Sequence, residues 1–212
     1  GKLAGVWSYD DSSGWKLKSK TFYSGGKNKD DKIHRSYNEK NWRILPRQAV
    51  HDSSSVTYPV FTAIAAPEVQ NKLNGDFAII AGPYLQNLAT GGCELDYTLT
   101  FVSEKFISIV FFGVLDEGEK EIFAKIPLNI DVQTGAQLAL GDVLNLRDAD
   151  LLPVLRLLTK KDMVDFSKGI PESWYYNGTN FVFCQRSETG EWLEATVAAS
   201  DLKKFLLKPE LF

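Results

Sequence analysis

The sequence predicts an α+β protein: an antiparallel β-sheet packed with helices and preceded by a small β-rich N-terminal piece. Three observations lead there. Residues 93–132 hold three strand-length apolar runs separated by short polar turns, the pattern of a meander. Val69, Leu73, Phe77 and Ile80 recur at intervals of four, four and three, which is a helical face. Residues 1–50 carry closely spaced aromatics around the turn-forming DDSSG, as short strands do.

Taken in order, the first 50 residues read as a basic, aromatic-rich β segment and residues 51–212 as the main domain. Trp7, Tyr9, Trp15, Leu17, Phe22 and Tyr23 space like strands, SGGKNKDDK follows as an exposed loop, and NWRILP gives a short strand stopped by Pro46. VTYPVF, from Val56, is extended. A helix is predicted over 67–80, because Pro67 suits a first turn, where its missing N–H has no intrahelical partner. The meander follows as ELDYTLTFV, KFISIVFFGVL and KEIFAKIPLNIDV, and its apolar middle strand needs cover on both faces, by helices on one side and the N-terminal piece on the other. DVQTG closes the third strand with Gly135 at positive φ. Beyond it are a brief helix capped by Asp142 and a longer one capped by Asp150, with Pro153 in its first turn. A hairpin about Asn177–Gly178, the strand EWLEATVA and a capped helix over SDLKKFLL end the chain.

Composition bounds the function. The 44% apolar and 24% charged residues are enough for a buried core. The longest apolar run, Phe106 to Leu115, suits a buried strand and falls short of the ~18 residues of a spanning helix. The start at Gly1 instead of methionine is expected of a processing boundary, so the lack of a targeting segment carries no information on compartment. Cys93 and Cys184 are compatible with one disulfide or with two buried thiols; without a CxxC pair, and with His34 and His51 in polar surroundings, no metal site or cofactor is expected. Residues 1–50 carry 11 Lys and Arg against 5 Asp and Glu, so a net +6 faces −9 on the remainder. That asymmetry fits a basic surface for an anionic partner or a basic element packed on an acidic body.

Catalytic patterns are thin. A glycosidase needs two carboxylates across a cleft. Glu94 with Asp96, or Glu117, Glu119 and Glu121, are the dense acidic groups, and they read as solvated turns. No histidine is framed by a nucleophile motif, and GGKNKDD lacks the elements of a phosphate loop. Lys16, Lys18, Lys20 and Tyr23, interleaved with Trp7 and Trp15 and joined by Trp42, can form a basic aromatic surface on which a sugar ring stacks. As an alternative, the tryptophans are the core of a small β unit.

The order YPVF, a helix bearing Asn and an apolar stripe, FISIVF, IDVQTGAQLALGDVL, a helical pair, TNFVFCQ and ASDLKKFL resembles a family of extracytoplasmic domains of unknown function over residues 55–207. This family lies ahead of the catalytic domain in the peptidoglycan deacetylase PdaC and in the outer part of the anti-sigma factor RsiV. Asp131, Thr134, Gly135, Leu138, Leu140 and Asp142 carry the most specific spacing. The family's Gly-Ala-His segment has no counterpart in GEKEIFAKIP, so a role resting on that histidine does not carry over. The resemblance implies a bacterial, non-catalytic binding module outside the cytoplasmic membrane, associated with cell-wall glycan or an anionic wall polymer. A membrane-tethered sensor domain that binds a protein ligand is the alternative, and a carboxylate-dependent hydrolase built on Glu94 and Asp96 is a third. Nucleic acid is not an expected partner, and the chain is not expected to span a membrane.

Overall fold

The computed structural model describes residues 3–10, 14–22, 37–38, 42–90, 92–116, 121–159, 162 and 164–212, with side chains from Tyr37 onward apart from Asn38. The protein is α+β. Strands β1 (Leu3–Asp10) and β2 (Gly14–Phe22) pair antiparallel, with Trp7 opposite Leu17 and Tyr9 opposite Trp15. A seven-stranded sheet follows sequence order: β3 (Tyr37–Asn38), β4 (Arg43–His51), β5 (Ser54–Thr62), β6 (Cys93–Val102), β7 (Phe106–Asp116), β8 (Glu121–Asp131) and β9 (Ala136–Gln137). One pair departs from the expected antiparallel arrangement. Strands β5 and β6 run parallel at Ser55–Val56, because helix α1 (Pro67–Asn87) carries the chain back between them. After the short helices α2 (Leu140–Val143) and α3 (Leu151–Leu158), strands β10 (Ser173–Tyr176), β11 (Asn180–Arg186) and β12 (Trp192–Ala198) make a second, antiparallel sheet.

Two compact units divide the chain: residues 1–99 with 111–124, and residues 100–110 with 125–212. The boundary expected at residue 50 instead falls inside the β4–β5 hairpin, where Val50 pairs with Ser55 and Arg43 with Thr62 at the far end. No helix among the described residues is long and apolar enough to cross a membrane.

In the first unit, α1 buries Val69, Leu73, Phe77, Ala81 and Tyr84. Phe77 stacks on Phe61 at 5.6 Å between centroids and meets Phe111 at 5.8 Å. The helix runs seven residues beyond the predicted end. Pro83 deprives the Ile79 carbonyl of its helical donor, but Ile79 is 74% exposed, so water can serve that carbonyl and the helix continues. Asn74 ties the helix to β5: its Oδ1 accepts from the Phe61 N–H at 2.7 Å and its Nδ2 donates to the Phe61 carbonyl at 3.0 Å. A Cβ at Gly113 would run into the Tyr84 ring, so glycine is needed for that ring to lie where it does.

In the second unit the core gathers Phe106, Trp174, Tyr176, Phe181, Phe183, Phe205 and their neighbours. Phe106 to Val110 of β7 is fully buried, and aromatics of β10 and of the C-terminus supply the cover: Phe106 lies 6.4 Å from Trp174 and 5.3 Å from Phe212. Here the later strands cover the Phe106 face of β7. A closed polar network crosses this core. Ser108 Oγ donates to Asn129 Oδ1 at 2.7 Å, Asn129 Nδ2 donates to the Trp174 carbonyl at 2.7 Å, and the Tyr176 N–H donates to Ser108 Oγ at 2.9 Å.

Three helix expectations are corrected in this unit. Asp142 is the third helical residue of α2, not its cap, and reaches back to accept from the Ala139 N–H at 2.8 Å. Asp150 does precede α3, but its side chain makes no cap hydrogen bond. The helix expected over 200–207 is a single 3-10 turn, Lys203–Phe205. Leu206 bridges Leu144, and the Leu207 N–H donates to the Val143 carbonyl at 2.8 Å, so the backbone must be extended where a helix would continue. Gly135 takes φ 66° at the end of β8, as its turn requires.

Candidate functional site

Alternation along β11 and β12 sorts their side chains onto two faces. Phe181, Phe183, Ala195 and Val197 face the core, and Trp174 and Tyr176 of β10 join them. The other face carries Tyr175, Cys184, Arg186, Trp192 and Glu194, with Cys184 opposite Glu194 and Arg186 opposite Trp192. A polar, partly aromatic stripe on the face turned from the core is where a sheet can hold a ligand without opening its interior.

Glu194 organises one half of this face. Its carboxylate accepts from the Tyr175 hydroxyl at 2.9 Å and pairs with the Lys125 ammonium, which also lies 5.4 Å from the Tyr175 ring centroid. The Cys184 sulfur lies 3.8 Å from Glu194 Oε1. Burial, reinforced by the neighbouring Glu194, drives the Tyr175 phenol well above its ordinary value. Burial likewise pushes the Cys184 thiol up to about 12 against the pull of Lys125. Cys184 is therefore a protonated thiol at neutral pH, without the thiolate that nucleophilic or redox chemistry needs. Cys93, in the other unit, is also raised by burial, and its thiol donates to the Tyr84 carbonyl at 3.2 Å; both cysteines are free.

The other half of the face opens into a recess of about 410 Å³, with Lys168, Ile170, Glu172, Cys184, Arg186 and Trp192 among its lining. Arg186 is aimed by the β11–β12 turn, because its Nε donates to the Gly190 carbonyl at 3.2 Å and Gly190 holds φ 90°. Lys168 stands 3.8 Å from Glu188, with both side chains largely in solvent. The Trp192 indole N–H is buried and finds no acceptor in the protein. An unmade hydrogen bond at a buried donor costs about 1–3 kcal/mol.

The residues singled out in the sequence fall elsewhere. Trp42 is 6% exposed and packed between Tyr37, at 4.9 Å, and Phe61, at 5.7 Å, so its ring faces are taken and it is a core residue, not a binding platform. Lys16, Lys18 and Lys20 occupy alternate positions of β2, with Trp15 on the same strand and Trp7 on β1; their side chains lie outside the described residues, as does Tyr23 altogether. His34, Glu117 and Glu119 also lie outside them. Asp96 is buried, with its Oδ1 accepting from the Tyr97 N–H at 2.8 Å, and Glu94 sits opposite Ser55, so neither reads as the solvated turn expected. No group of three or more His, Cys, Asp or Glu among the described residues could hold a metal. The sequence reading missed Arg186 and Trp192. The signal was the apolar alternation of FVFCQR and WLEATV about a five-residue turn, which leaves Arg and Trp on the same non-core side.

The sequence matches no protein-family model and no curated protein. Among solved structures, a DUF3298 family member from Bacteroides fragilis is similar at TM-score 0.55 and 12% identity, over 77% of this chain and 91% of that one. A DUF3298 family protein from Pseudomonas aeruginosa is similar at TM-score 0.51 and 13% identity, over 80% of this chain and 95% of that one. The chain thus shares its fold with DUF3298 proteins, domains of unknown function.

Proposed function

We propose that the protein is a non-catalytic binding module that works outside the cytoplasmic membrane and associates with cell-wall glycan, the setting implied by its resemblance to the PdaC and RsiV domains. The recess on the outer face of β11 and β12 carries this reading: a tryptophan beside two cations, on a rigid sheet, is the combination that holds a polar ring carrying negative charge. The protonated Cys184 thiol supports a binding role over a nucleophilic one. Lys16, Lys18 and Lys20 on β2 add positive charge that draws an anionic wall polymer.

Co-sedimentation with insoluble peptidoglycan, with and without anionic wall polymers and at low and moderate salt, tests the proposal. Retention that weakens with salt and with Lys16→Ala, Lys18→Ala and Lys20→Ala combined is the expected result. No retention under any condition overturns it and turns attention to a protein ligand.

A further inference from the structure

We infer that the recess between the Lys168–Ser173 segment and the β11–β12 hairpin binds a sugar that bears a carboxylate. The inference rests on the glycan-binding reading and goes further by naming the site and the ligand chemistry. Among the lining side chains Lys168 and Arg186 are cationic and Glu172 is the acid, a balance that suits one negative charge. The Arg186 guanidinium is oriented through Nε by the Gly190 carbonyl, which leaves its terminal nitrogens as a fork for a planar carboxylate. The Lys168–Glu188 pair is long and exposed, so the ammonium is held only weakly and can turn to a ligand.

The rest of the lining suits the ring. Ile170, Pro171 and the Trp192 indole give an apolar surface for the C–H face of a pyranose. Gln185, also in the lining, accepts from the Asp165 N–H through Oε1 at 2.8 Å. A phosphate dianion would bring more charge than this lining balances, and a neutral sugar would leave the guanidinium unanswered.

N-acetylmuramic acid joins the two features in one molecule; N-acetylglucosamine supplies the ring without the acid, and lactate the acid without the ring. Each is titrated into ¹⁵N-labelled full-length protein while the Trp192 indole N–H resonance, assigned through Trp192→Phe, is followed. The expected result is that N-acetylmuramic acid moves this resonance with an affinity at least about tenfold above either fragment. Arg186→Gln then weakens it about tenfold, and Glu172→Gln, which removes the opposing charge at an exposed position, strengthens it. Equal affinity for N-acetylglucosamine, an unmoved Trp192 resonance, or indifference to both variants overturns the inference. Peptidoglycan retention that survives Arg186→Gln and Trp192→Phe would sink this site and leave the wall-binding reading standing; absence of retention in the unaltered protein would sink that reading itself.

Discussion

Asn74 answers both backbone groups of Phe61, a residue with no exposed surface, from the middle of a helix. Alanine there leaves a buried N–H and C=O without partners, and we expect Asn74→Ala to lower stability by about 2–4 kcal/mol, read as the shift in a urea midpoint. Aspartate is not a substitute, since it accepts from the N–H but has no donor for the carbonyl. A second residue-level expectation concerns alkali. The Cys184 thiol ionises near 9 when unfolded and near 12 when folded. Between those values the unfolded chain has lost a proton that the native protein keeps. The contribution of this thiol is therefore complete below pH 9 and is lost as pH rises toward 12, by about 1.4 kcal/mol per pH unit. Tyr175, raised in the same direction, adds to the loss above its own ordinary value near 10. Denaturation midpoints measured from pH 8 to 11 should fall steadily, and less steeply in Cys184→Ala; a flat profile would contradict the burial of both groups.

Strands β7, β8 and β10 are joined by Ser108 and Asn129 as well as by apolar packing. Because the three bonds share partners, their energies do not add. Asn129→Leu strands the Trp174 carbonyl and should cost about 3 kcal/mol, whereas adding Ser108→Ala to it should cost less than the two single losses together, a coupling of about 1 kcal/mol in a double-mutant cycle. The same elements show what could be read from the sequence. Helix α1, the β6–β8 meander and the Asn177–Gly178 hairpin were legible because each declares itself locally, by a period of 3.6, a period of two, or a turn pair that tolerates positive φ. The C-terminal helix and the length of α1 were not, because each is settled by a distant partner: the Leu144 bridge in one case, solvent at the Ile79 carbonyl in the other. Site residues fared worse. The aromatics of residues 1–50 drew attention by density, yet Trp42 is core, while Arg186 and Trp192 are five intervening residues apart and meet only through strand pairing.

At the scale of the molecule, the large sheet ends unevenly. Strand β9 is short and pairs with β8 at Ile130 and Asp131, at the end of that strand. An open edge invites pairing with a second copy; Pro127, which has no N–H to donate, blunts it. Pro127→Thr should raise concentration-dependent association, measured by light scattering at matched stability, and unchanged scattering would show that this edge is protected in another way. The two compact units also have a consequence for how the chain is made. Their segments alternate along the sequence, so no single cut frees either one, and residues 100–110 belong with partners that come after residue 125. During synthesis from the N-terminus, Phe106 must wait for Trp174, a delay of roughly 3–14 s at about 5–20 residues per second. For that interval one of the most apolar stretches of the protein has no place to go, and a newborn chain depends on whatever shields it until its second half arrives.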